Sequence, residues 1–68
     1  MNIFIDQNKG DYIYRDWEEE SIKEMNLKFK ELQDLGFEEY NVEIDYLNTY
    51  YYYRNNQGKQ LTVTLLCS

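Results

Sequence analysis

The chain has 68 residues, 13 acidic and 7 basic, for a net charge of −6. That length holds one domain with a limited core, and that charge is repelled by phosphate backbones and by anionic lipid. With no His and a single cysteine, Cys67, an intrachain disulfide is excluded, and the usual neutral-pH acid/base and commonest metal ligand are both missing.

Asn2–Asp6 is short, β-branched and aromatic, which predicts a strand. Gln7–Asp11 supplies the Asn and Gly of a tight turn. Tyr12–Arg15 follows, either as the returning strand of an N-terminal hairpin or as irregular chain entering a helix. The helix is predicted from Asp16 to about Leu35. Asp16 and Glu19 have the spacing of a capping box, and Glu18, Glu19 and Glu20 lie where the helix dipole favours negative charge. Gly36 is placed to end the helix in the left-handed region, with Phe37 folding back on it. Ile22, Met25, Phe29 and Leu32 recur at three, four and three residues and make one apolar stripe, with Trp17 and Leu35 at its ends. Glu19 with Lys23, and Glu24 with Lys28, are favourable i,i+4 pairs. Leu27 projects away from the stripe among charged residues. It is either a single exposed Leu, which is ordinary, or a contact for a partner or a second copy.

Beyond the helix, Tyr40–Tyr46 alternates: Tyr40, Val42, Ile44 and Tyr46 share one face, and Asn41, Glu43 and Asp45 share the other, which predicts a strand with the first face on a core and the second in water. Leu47–Thr49 turns the chain into Tyr50–Arg54, Asn55–Gly58 signals a hairpin, and Lys59–Leu66 is the last strand, with Leu61, Val63 and Leu65 inward. The predicted fold is α+β: a single domain over residues 1–68, with one amphipathic helix on an antiparallel sheet in the order ββαβββ.

Four consecutive tyrosines, Tyr50–Tyr53, must place two rings on each face of a strand. A four-residue loop at Asn55–Gly58 and a three-residue loop at Leu47–Thr49 put Tyr50 and Tyr52 inward. Tyr51 and Tyr53 then share an uncovered face with Glu43 and Asp45. Such a face is either a shield of cross-strand pairs or a recognition surface, since Tyr offers a large rigid area with a polar tip. The candidate contact set is therefore Glu43, Asp45, Tyr51 and Tyr53, with Glu18, Glu19 and Glu20 as a second acidic patch and Leu27 as an outlying contact. The dipole explains Glu18–Glu20 without a metal.

No Gly-rich phosphate loop, Ser/His/Asp set or Cys/His metal spacing occurs, so no catalysis, cofactor or metal is expected. Enrichment in Asn, Lys, Ile and Tyr reflects AT-rich codons and points to a low-GC bacterium or its phage. In general character the chain resembles the small acidic proteins that phages make to disable host defence or host nucleic-acid enzymes. The resemblance is compositional; it covers no diagnostic motif and carries over no residue roles. Together with the acidic balance, the outer Tyr/acid face, the small size and the absence of a visible signal peptide, it predicts an inhibitory interaction protein in the cytoplasm, the host's if phage-encoded, that covers a basic surface on a host protein, in one form as a nucleic-acid mimic. Direct nucleic-acid and membrane binding are not expected. One alternative is a homodimeric structural or regulatory protein, with Cys67 as a plain thiol or an intermolecular bridge. The other is a single-stranded nucleic-acid module that stacks bases on its tyrosines.

Overall fold

The structure, a computed structural model, describes residues 11–67. The strand expected at Asn2–Asp6 lies outside them. The elements are β1 (Tyr12–Arg15), α1 (Glu19–Asp34), β2 (Glu38–Asp45), β3 (Asn48–Arg54) and β4 (Gln60–Leu66). They form an α+β fold in which α1 lies on a sheet ordered β1-β4-β3-β2. Among the described residues no helix is long and apolar enough to cross a membrane.

The sheet is mixed, which corrects the antiparallel expectation. β1 pairs parallel to β4, while β4–β3 and β3–β2 are antiparallel. The cause is the crossover. A helix laid on one face returns the chain to the end of the sheet where β1 began, so the strand that follows runs parallel to β1. The two later hairpins then fill the space between β1 and β2.

The helix begins later than the sequence suggests. Its N-cap is Glu18, not Asp16, and no side chain caps it. Asp16 is instead part of the sheet margin, its backbone amide donating to the Leu66 carbonyl at 2.9 Å. The Ser21 hydroxyl accepts from the Arg15 amide at 2.7 Å and ties the first helical turn back to β1. At the other end Gly36 has φ +93°. Its amide donates to Gln33 O at 3.1 Å and that of Phe37 to Leu32 O at 2.9 Å, the double bond of a Schellman cap. Phe37 is buried with Leu32, as its place after the cap requires. The core joins these two residues to Met25, Tyr14, Tyr53 and Val63, with Ile22 and Phe29 packed at its margin. Trp17 and Leu35, expected at the ends of the stripe, are exposed. Lys28 pairs with Glu31 at 2.9 Å, one turn ahead of it and not with the expected Glu24 one turn behind, and its ammonium lies 4.3 Å from the centre of the Tyr12 ring.

Candidate interaction surface

The tyrosine run has the opposite facing from the one expected. Tyr51 and Tyr53 point to the helix: the Phe29 ring meets Tyr51 edge-on at 5.1 Å and stacks on Tyr53 at 5.9 Å. Tyr50 and Tyr52 point away from it. The physical reason lies in the two loops. Arg54 pairs with Gln60, not Lys59. Asn55 and Lys59 close the hairpin, Gly58 N–H donates to Asn55 O at 3.2 Å, and Gly58 has φ +88°. This is a three-residue loop, a type I turn followed by a left-handed glycine. Asn55 Oδ1 reinforces it by accepting from the Gln57 and Lys59 amides at 3.0 and 2.9 Å. At the other hairpin Asp45 pairs with Asn48, so the turn is Tyr46–Leu47, with Tyr46 at φ +57°. Each loop differs by one residue in parity from the expected one, and a shift of one residue exchanges faces.

A bulge between Glu39 and Asn41 makes the other change. Two residues on the bulged strand then oppose one on its neighbour. Tyr40 therefore leaves the face of Val42. Its ring lies 6.2 Å from that of Tyr52, and the Arg54 guanidinium sits 4.7 Å from its centre.

The face away from the helix thus carries an aromatic and acidic cluster, built from other rings than those expected. The Tyr52 hydroxyl donates to Glu43 Oε1 at 2.6 Å. That bond, with partial burial adding to it, pushes the Tyr52 phenol up to about 12. Glu43 and Asp45 are exposed on this face, opposite Tyr50 and Asn48. Toward the middle of the sheet the same face is closed, because Tyr50 and Thr64 are 8% and 3% exposed. Its open part is the β2 side.

The helix-side face of β2 is open as well. Register puts Val42 beside Tyr51 and Ile44 beside Thr49, yet Val42 is 42% and Ile44 73% exposed. Tyr46 and Leu47 extend this apolar strip through the turn, Tyr46 at 92% exposure. At the opposite end of β2 a groove of about 440 Å³ runs between strand and helix. Phe29, Phe37 and Tyr53 are its apolar lining, and Lys30, Gln33, Glu38 and Glu39 its polar one. Burial pushes the Tyr53 phenol up to about 12, and the Glu39 carboxylate adds to the shift.

Glu18, Glu19 and Glu20 are exposed around the start of α1. They follow β1, the strand at the opposite edge of the sheet from β2, so the two acidic groups belong to separate edges. Leu27 is 67% exposed, as its position off the stripe requires. Sequence reasoning missed Tyr40, Val42, Ile44, Tyr52, Tyr46 and Leu47 as candidate contacts. A signal was present: one helix about 10 Å across cannot roof four strands spaced about 4.8 Å apart. Comparison with protein-family models, with curated proteins and with solved structures returns no match to this chain.

Proposed function

We propose that the chain is a non-catalytic interaction protein that binds a basic surface on another protein and covers it, with β2 at the centre of the contact. One observation carries the proposal: every residue of β2 is exposed, and the strand combines the apolar Val42 and Ile44 with four carboxylates, Glu38, Glu39, Glu43 and Asp45, and no basic side chain. Exposed apolar area rimmed by charge of one sign suits a partner of the other sign. Inhibition by occupying a basic groove, such as one that holds nucleic acid, is the form of this reading favoured by the composition. A nucleic-acid-binding role is less well supported, because Tyr51 and Tyr53 are engaged by Phe29 and the outward Tyr52 carries a carboxylate at its tip.

The test is capture from a low-GC bacterial lysate on the tagged chain, in parallel with Glu43→Lys/Asp45→Lys. A binding protein retained by the wild type and lost from the charge-reversed variant, at unchanged circular dichroism, is the expected result. Equal retention by both refutes the proposal.

A further inference from the structure

We infer that the free edge of β2 accepts an extended strand from a different protein, whose side chains alternate between aliphatic and basic. This inference rests on the interaction reading and specifies its mode. Among the described residues β3 is the sole strand paired with β2, and every residue of β2 is exposed. Its outer row of backbone amides and carbonyls is therefore a template for one more strand. The bulge at Tyr40 limits the regular part of that template to Asn41–Asp45.

Alternation fixes what the added strand must carry. On the helix side its neighbours are Val42 and Ile44, both exposed. On the other side they are Asn41, Glu43 and Asp45. Side chains on adjacent strands meet their opposite numbers on the same face. Aliphatic residues thus extend the Val42–Ile44 strip, and Lys or Arg residues pair with Glu43 and Asp45.

The same charges disfavour a second copy. In a two-fold antiparallel pairing of β2 with itself, Glu43 opposes Glu43, Asp45 or Asn41 of the other chain. Acids then face acids directly or on the neighbouring diagonal, which destabilises the pair. A basic strand meets no such penalty.

The experiment uses the full chain, labelled with nitrogen-15, and a capped octapeptide alternating Lys and Val. The control peptide has Glu in place of Lys. Two further Lys–Val peptides carry N-methyl groups on alternate residues, one on the odd amides and one on the even, so that just one of them blocks the edge facing β2. The Lys–Val peptide is expected to bind at least tenfold more tightly than the Glu–Val peptide and to slow hydrogen exchange at amides within Asn41–Asp45. One N-methyl isomer should lose at least tenfold in affinity while the other does not. Glu43→Lys/Asp45→Lys should reverse the preference between Lys–Val and Glu–Val. Equal binding of both N-methyl isomers overturns the inference, since it shows charge attraction without strand pairing. So does concentration-dependent protection of the β2 amides without peptide, which assigns the edge to a second copy. A lysate partner that is lost on charge reversal, combined with indifferent N-methyl isomers, leaves the acidic-surface reading standing and removes the strand. If neither peptide nor protein binds, both fall.

Discussion

Substitutions at Tyr53 and Tyr52 should differ sharply in cost, and the order of the two costs reports which way β3 faces. Tyr53 is 7% exposed, stacks on Phe29 at 5.9 Å and belongs to the core. Replacing such a ring with Ala removes its transfer energy and leaves a cavity, which costs about 3–5 kcal/mol. At roughly 0.05–0.15 kcal/mol per residue, a domain of this size holds about 3–10 kcal/mol in total, so Tyr53→Ala stands near the limit of folding. Tyr53→Leu keeps an apolar filling and loses mainly the ring pairing, about 0.5–1.5 kcal/mol beyond area, so it should retain a readable transition. Tyr52→Ala forfeits a partly exposed hydrogen bond to Glu43 and a cross-strand pair with Tyr40. Together these are worth about 1–2 kcal/mol. Urea unfolding followed by circular dichroism measures all three. With a slope of about 1–3 kcal/mol per molar urea, the roughly 1–4 kcal/mol between the two Ala variants should separate their midpoints by about 0.3–4 M, with Tyr53→Ala the lower. A Tyr52→Ala protein less stable than Tyr53→Ala would refute the register on which the description of both faces depends.

Alkaline pH should weaken the fold over a defined window. Both Tyr52 and Tyr53 are raised from 10.0 to about 12. Below about pH 10 both states hold the phenolic protons and stability is flat in this respect. Between about pH 10 and pH 12 the unfolded chain gives them up while the folded chain keeps them, so stability falls as pH rises. Ultraviolet difference titration should show phenols ionising late, and Tyr52→Phe should remove part of that late step; early ionisation of all the tyrosines would contradict the Glu43 bond. At the β2–β3 turn, Tyr46 has φ +57° with its ring 92% exposed. Tyr46→Asn, which adopts this region more readily, should raise stability by about 0.5–1 kcal/mol in urea unfolding. If Tyr46 belongs to the contact, the same variant should bind a captured partner less well, and a variant that is neither more stable nor weaker in binding would show that its conformation stores nothing.

The parts of the fold legible in the sequence are those with an unambiguous period or a residue with one structural use. The three-four-three spacing from Ile22 to Leu32 specified the helix and its buried face, and Gly36 with Phe37 specified its end. Alternation in Leu61/Val63/Leu65 placed β4 with its inward face as observed, whereas alternation in Val42/Ile44 gave the right side of β2 but not the core expected beneath it, since both residues are exposed. β3 was not legible, because four identical tyrosines carry no alternation and its facing had to be inferred from loop lengths. The two loop errors were each of one residue, and they agreed with one another because both invert the same strand. Their mutual consistency was therefore no independent support. Tyr40 was lost to the bulge, which has no composition signal of its own. The parallel pairing of β1 with β4 is a property of chain path, set by the crossover helix and not by any residue in β1.

The exposure of β2 follows from architecture, but its composition does not. Among the described residues, four strands spanning about 15 Å lie under a single helix about 10 Å wide, so one outer strand must lie beyond that roof. In this chain that strand is β2, since α1 is anchored over β1 by Ser21 and Lys28. A strand left outside the core has no structural need of aliphatic residues on its helix side; Thr, Lys or Gln would serve the pleat and keep the edge inert. Val42 and Ile44 are nonetheless there, and Tyr46 and Leu47 continue them. The devices that do guard the edge, a bulge at one end and carboxylates on the far face, oppose pairing with another acidic strand and leave pairing with a basic one open. On the reading proposed above, an edge closed to its own kind and, among the described residues, both apolar and exposed has the character of a selective surface, and it is that selectivity, if binding bears it out, that would separate an interaction protein from a small domain with a poorly finished core.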